Sequence, residues 1–228
     1  MGVATETKPW TLEELHRLPD DGNKYELVRG ELFVTPPPSV SHEDIIAILL
    51  RLLVPYVGQW KLGRVHTARA VVRALESEVE PDVMVRPVGA PTDDWAKLPV
   101  PILIIEIASK STRRRDRGQK RAHYLDLGVP DYWIVDRETR TIQIVRLGAE
   151  DVVEHETAAW HPNTADEPFV VDILRCSARR SARAELIEER SMAACSQSGS
   201  FSRSPREAAG SGSESELSSR MLLRSPAS

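Results

Sequence analysis

Apolar residues along this chain follow two periods, and the switches between them mark out its elements. Ile45, Ile46, Leu49, Leu52 and Leu53 recur at three-to-four spacing, which predicts a long helix over 41–57 with Ser41 as its cap. After Gly58 and Gly63 come three strand-like stretches, over 64–75, 79–86 and 102–108. The last carries Ile102, Leu103, Ile104, Ile105 and Ile107 in near-continuous succession, so it reads as a strand buried on both faces and therefore central. Thr112 then opens a second helix over 112–127, closed by Gly128 at the position where glycine suits a left-handed cap. Tyr132 to Val135 and 141–146 read as two more strands paired across a turn at 136–140. Upstream, Thr11 and Glu14 have capping-box spacing and start a short helix over 11–18. A hairpin over 24–35 bends at Arg29-Gly30, and Pro36, Pro37 and Pro38 stop it. The pattern predicts an α/β (α+β) fold: a core in helix, strand, strand, strand, helix, strand order, preceded by a helix and a hairpin.

Composition sharpens this picture at the C-terminal end. Of the 53 residues from Cys176 to Ser228, 15 are serine, and no periodic apolar face runs through them. Such a segment cannot offset its ordering entropy, apart from a short helix over 182–190. The expected organisation is one domain over 1–175 and a Ser-rich, mostly disordered tail over 176–228. Both cysteines, Cys176 and Cys195, fall in that tail, so the body has no disulfide framework and no thiolate zinc site. The chain has no run of about 18 apolar residues. A soluble, cytoplasmic protein without a membrane partner is expected. The net charge of −4 leaves any nucleic-acid contact to local clustering of positive residues.

Two carboxylates stand out against the apolar pattern. Asp82 follows Pro81 within an apolar strand, and Glu106 interrupts five aliphatic residues at the end of the central one. An aspartate after proline is often only a turn residue, but an ionised carboxylate inside an apolar strand is costly without a partner. Two carboxylates on adjacent strands can hold a hard divalent cation through oxygen, and a nearby lysine can polarise a water or a phosphate oxygen. That combination points to metal-dependent phosphodiester chemistry. Between Lys110 and Arg121 the chain carries seven positive residues and a single negative one, Asp116. A charge run is usually a solvated face, but beside a carboxylate site Arg113, Arg114, Arg115 and Arg117 could bind phosphates. With Asp116 at zero on a helical wheel, Lys120 falls at about 40°, Tyr124 at about 80° and His123 at about −20°, so all four share a face. The ordinary reading of Lys120 is an i, i+4 ion pair with Asp116. Tyr132 and Trp133 alternate within a buried strand and are expected in the core.

Further residues carry a family resemblance: Tyr25-Glu26-Leu27 with Gly30-Glu31-Leu32, His42, Pro81-Asp82-Val83, Glu106-Ile107-Ala108-Ser109, Ser111-Thr112, Asp116, Lys120, Tyr124 and the run from Gly128 to Asp136. Over residues 11–173 the chain resembles the Uma-two family of restriction endonucleases, within the PD-(D/E)XK nuclease superfamily. The resemblance implies a restriction-endonuclease-like core with a central mixed sheet. It also implies that Asp82 and Glu106 bind Mg²⁺ or Mn²⁺, and that DNA is the substrate. The superfamily lysine would stand two residues after Glu106, where this chain has Ala108. In the resembling family a helix lysine substitutes, which places the role on Lys120. Lys110, continuing the strand face from Glu106, is the competing choice, although the family usually has proline there. His42, Glu31, Asp116 and Tyr124 are accessory candidates. The expected function is a metal-dependent DNA endonuclease acting through Asp82, Glu106 and Lys120. The alternative is a nuclease-fold protein that binds nucleic acid or a protein partner without cutting. No sequence-reading module is apparent, so loops or a homodimer would have to supply specificity.

Overall fold

The computed structural model describes residues 8–67 and 69–172. The tail over 176–228, with its expected short helix, lies outside the described residues. The chain opens with helix α1 (Leu12–Leu15), whose expected capping box is present in full: Glu14 N–H donates to Thr11 Oγ1, and the Glu14 carboxylate accepts from the Thr11 amide. Strands β1 (Lys24–Val28) and β2 (Glu31–Thr35) form the expected hairpin. Positive φ at both Arg29 and Gly30 gives its bend the hand that matches strand twist. Helix α2 (Val40–Gln59) starts slightly before the expected cap. Ser39 occupies the cap position, and its hydroxyl bonds to that of Ser41 rather than to the helix backbone.

Two of the expected strands prove to be pairs. The stretch 64–75 divides into β3 (Arg64–Thr67) and β4 (Val72–Ala74), and 79–86 contributes to β5 (Ser77–Val79) and β6 (Val83–Arg86). The physical reasons are local. Leu75 and Glu76 both take positive φ and turn β4 tightly into β5, while Pro81 has no amide proton to give a ladder between β5 and β6. Consequently β4 and β5 leave the main sheet and join the hairpin in a four-stranded sheet of order β2-β1-β5-β4.

The main sheet has the order β10-β9-β8-β7-β6-β3, built with β7 (Leu103–Ala108), β8 (Asp131–Asp136), β9 (Thr141–Arg146) and β10 (Val152–Glu154). The β7–β8 pair is parallel and its neighbours are antiparallel, so the sheet is mixed, with the aliphatic β7 inside it as expected. The crossover from β7 to β8 is helical: α3 (Arg113–Arg115), a π-helical turn over Asp116–Lys120, then α4 (Arg121–Asp126). The expected continuous helix is thus interrupted where Gly118, a poor helix former, stands inside the wider turn. A small hairpin, β11 (Thr157–Trp160) and β12 (Phe169–Asp172), completes the described chain.

Alternation along β7 divides the core. Leu103, Ile105 and Ile107 pack with Ile45, Leu49 and Leu53 of α2 and with Trp133, Trp160 and Phe169. Ile104 and Ala108 face the other way, toward Tyr124, Tyr132, Val28 and Val79. Tyr132 and Trp133 are fully buried, as expected of core residues. Glu106 shares the even-numbered face, so the sheet aims this carboxylate at the layer made by the π turn, α4 and the hairpin sheet.

Candidate metal and phosphate site

Asp82 stands one residue before β6, and the register Val83↔Ile105 brings it level with Glu106 on the neighbouring strand. Residues level across an antiparallel pair present their side chains to one face. Both line a cavity of about 370 Å³ that His42, Arg115 and Asp116 also reach. Asp82 Oδ2 accepts the Ile107 amide at 2.8 Å. Its Oδ1 has Lys24 Nζ at 3.4 Å and His42 Nε2 at 3.4 Å. Burial pushes the Asp82 carboxyl up, but the Lys24 ammonium, the His42 contact and the Ile107 amide outweigh it and hold the group well below the ordinary aspartate range.

Glu106 answers differently. Its Oε1 accepts from Lys120 Nζ at 2.8 Å and from the Tyr124 hydroxyl at 2.8 Å, yet burial, with the Asp82 charge behind it, pushes the carboxyl up to about 7. The reason lies in how the Lys120 ammonium is shared. Lys120 has no solvent exposure and also sits 2.7 Å from Glu26 Oε1. Burial pushes Glu26 up as well, but Lys120, Lys24 and Arg115 together pull it below the ordinary range. Burial would discharge Lys120, and Glu106 and Glu26 overcome this and keep it an ammonium. Glu26 also has Arg115 at 3.3 Å, whereas Lys120 is the one cation at ion-pair distance of Glu106 among the described residues.

The remaining expected residues divide between those inside the cavity and those outside it. Asp116 is buried with its carboxyl pushed up by burial, and its Oδ1 lies 3.6 Å from Arg115 Nε without a hydrogen bond. Tyr124 is buried behind Glu106, and Asp116, Lys120, His123 and Tyr124 all face inward as the wheel predicts. His42 lines the cavity, where burial would lower its pKa and the Asp82 carboxylate raises it instead. Glu31 is exposed and accepts from Gln119 at 2.9 Å.

Lys110 lies apart from Asp82 and Glu106. Strand β7 ends at Ala108, the Ser109–Thr112 turn breaks the strand face, and the Lys110 ammonium stands 3.8 Å from Glu138 with the side chain 84% exposed. The expected phosphate-binding arginines scatter in the same way. Arg113 and Arg117 both reach the buried Asp136 carboxylate, at 2.8 and 3.2 Å, and Arg114 is exposed. Arg115 alone of the four lines the cavity, bonding Thr35 Oγ1 at 3.0 Å and lying 3.3 Å from Glu26.

Lys24 was not among the residues expected at the site, and Glu26 entered only as part of the motif that carries the family resemblance. Lys24 Nζ donates to the Glu80 carbonyl at 3.0 Å as well as facing Asp82. A signal existed: Glu26 is a charge inside Tyr25-Glu26-Leu27-Val28, the same interruption that marks Glu106, and Lys24 lies two residues away on the same strand face.

The site's donor set suits a hard cation. Glu26, Asp82, Glu106 and Asp116 meet Lys24, Arg115 and Lys120 here, Glu43, Glu80 and Arg69 also line the cavity, and burial pushes the Glu106, Asp116 and Glu80 carboxyls toward the neutral form. Among the described residues no group of three or more His, Cys, Asp or Glu converges as a closed metal cluster. Magnesium is ordinarily bound by one or two carboxylates, with water and phosphate oxygens completing its shell. Asp82 and Glu106 fit that pattern.

The fold is that of a restriction-endonuclease-like α+β domain, and the comparisons agree. A family model, Uma2, described as putative restriction endonuclease, matches residues 12–173, and the chain belongs to this family. Among solved structures, a putative nuclease belonging to DUF820 from Anabaena variabilis shares the fold, with a TM-score of 0.62 and 22% identity over 74% of this chain and 97% of that one. No curated protein matches the chain. Among the described residues no helix is long and apolar enough to cross a membrane.

Proposed function

We propose that this protein is a metal-dependent endonuclease that hydrolyses phosphodiester bonds in DNA in the cytoplasm. The observation that carries the reading is the placement of Asp82 and Glu106 level on adjacent strands, facing one cavity, with burial pushing the Glu106 carboxyl up to about 7. A divalent cation held between them would favour the ionised form of Glu106. Asp82 and Glu106 would hold Mg²⁺ or Mn²⁺, which when bound supplies Lewis acidity and lowers the pKa of water in its shell.

The chain's own residues supply the rest. The Ile107 amide and the Lys24 and His42 contacts fix the Asp82 carboxylate, while Lys120 and Tyr124 fix that of Glu106. Arg115 at the cavity wall offers a guanidinium to phosphate. In the reaction a water oxygen bonds to phosphorus, and the bond from phosphorus to a sugar oxygen breaks with its electron pair going to that oxygen. The attacking water loses a proton to solvent and the leaving oxygen gains one. Positive groups aimed at the phosphate stabilise the charge that builds on it.

The test is nicking of supercoiled plasmid in Mg²⁺ or Mn²⁺ by the wild type, Asp82→Ala and Glu106→Gln. The reading predicts cutting by the wild type and none by either variant. A wild type that binds DNA and leaves it whole in both metals would favour the non-catalytic alternative, which Ala108 in the superfamily's lysine position keeps in view.

A further inference from the structure

The site contains two lysines, and they are not equivalent. Lys120 is wholly buried, with Glu26 at 2.7 Å and Glu106 at 2.8 Å, and does not line the cavity. An ammonium has three protons. Two of those on Lys120 are committed to carboxylates, and the third has no path to a substrate without unpacking the helical layer. Lys24 does line the cavity, its side chain is 23% exposed, and its contacts are looser: the Glu80 carbonyl at 3.0 Å and Asp82 Oδ1 at 3.4 Å. One proton remains for the open space in front of Asp82.

The geometry points to Lys24 as the catalytic lysine of this site, its ammonium touching a non-bridging oxygen of the scissile phosphate, with Lys120 as a positioning residue that holds Glu26 and Glu106. The inference rests on the endonuclease reading above. Strand β1 explains how one segment serves both ends of the arrangement. Lys24 and Glu26 are two residues apart and so share a face, Glu26 reaching inward to Lys120 and Lys24 standing at the mouth. An ammonium absent from β7, where Ala108 stands, is thereby delivered beside Asp82 from the hairpin. Lys24 stays protonated throughout: it stabilises charge on the phosphate oxygens while the proton of the attacking water leaves to solvent.

Lys24→Met and Lys24→Arg are compared with the wild type and Asp82→Ala in single-turnover plasmid cleavage at saturating DNA, with Mn²⁺ affinity measured on each. Lys24→Met is expected to cut about 10²–10³-fold more slowly at saturation, the usual loss when one positioned donor to a developing charge is removed. Its Mn²⁺ affinity should not fall, because loss of a cation 3.4 Å from Asp82 removes a charge that competes with the metal; a lysine whose role is only to orient Asp82 would lower that affinity when lost. Lys24→Arg should recover part of the rate. A second measurement does not require cleavage: lysine acetylation by acetic anhydride in Ca²⁺, with and without a short duplex, read by mass spectrometry. DNA should protect Lys24, and Lys120 should stay unmodified in both conditions. Wild-type cutting by Lys24→Met beside a dead Asp82→Ala overturns the inference and leaves the endonuclease reading standing. If the wild type never cuts, that reading falls and the catalytic role falls with it; unchanged Lys24 labelling then also removes its contact with the phosphate.

Discussion

Lys120 Nζ lies 2.7 Å from Glu26 and 2.8 Å from Glu106, joining the hairpin sheet, the main sheet and the helical layer at one point without solvent access. The three elements come from distant parts of the sequence, and their common point is one ammonium. Glu26 has Arg115 at 3.3 Å besides, whereas Lys120 is the one cation at ion-pair distance of Glu106 among the described residues. The same contacts stabilise the fold and fix the Glu106 carboxylate.

Lys120→Ala strands two buried carboxylates. Removing one partner of a buried ion pair typically costs about 3–5 kcal/mol, which for a domain of this size lowers Tm by roughly 10 °C. Calorimetry on the purified variant reads this directly, and cleavage by the variant is to be assayed well below its new Tm. A shift under about 2 °C would mean that Lys120 is not the shared counter-ion.

Cation binding at Glu106 competes with a proton, because the carboxyl is pushed up to about 7. Mn²⁺ affinity should therefore rise about tenfold per pH unit below that value and level off above it. A calorimetric titration series from pH 5.5 to 8.5 checks the slope, and Glu106→Gln should flatten it.

His123 is buried with neither ring nitrogen hydrogen-bonded, and burial, followed by the charges of Arg29 and Lys120, lowers its pKa to about 4. The folded state prefers the neutral ring, so the unfolded chain binds more protons in this range and stability rises with pH. The contribution is complete above the unfolded value of 6.5 and is lost as pH falls from there toward about 4, amounting to at most about 3 kcal/mol. His123→Leu should show a shallower loss of Tm between pH 6.5 and 4 than the wild type; identical slopes would clear His123 of the effect.

The arginines of the helical crossover should separate by function. Arg114 is exposed, so Arg114→Ala is expected to weaken DNA binding and to reduce the slope of log K against log salt by about 0.9, leaving Tm unchanged. Arg113 instead reaches the buried Asp136 carboxylate at 2.8 Å, so Arg113→Ala should lower Tm by several degrees. Fluorescence anisotropy across a salt series and thermal melts distinguish the two.

Periodicity and turn chemistry were sufficient to read α1, the β1–β2 hairpin, α2, the central β7 and the β8–β9 pair, because each is stabilised by neighbours along its own segment. The same local logic singled out Glu106, since a charge inside an aliphatic strand must be answered somewhere. It also placed Asp116, Lys120, His123 and Tyr124 on one inward face, although it did not foresee the π turn beneath them. What answers a buried charge comes from another part of the chain, and no local rule names it. Glu26 and Lys24 are 80 and 82 residues from Glu106 in the sequence. Only the packing of the hairpin sheet against β6 and the crossover decided that Glu26 meets Lys120 beside Glu106, that Lys24 faces Asp82, and that Lys110 and three of the four arginines stand away from the cavity. Residue types announce that a charge needs a partner; the partner is chosen by distances that tertiary contacts create.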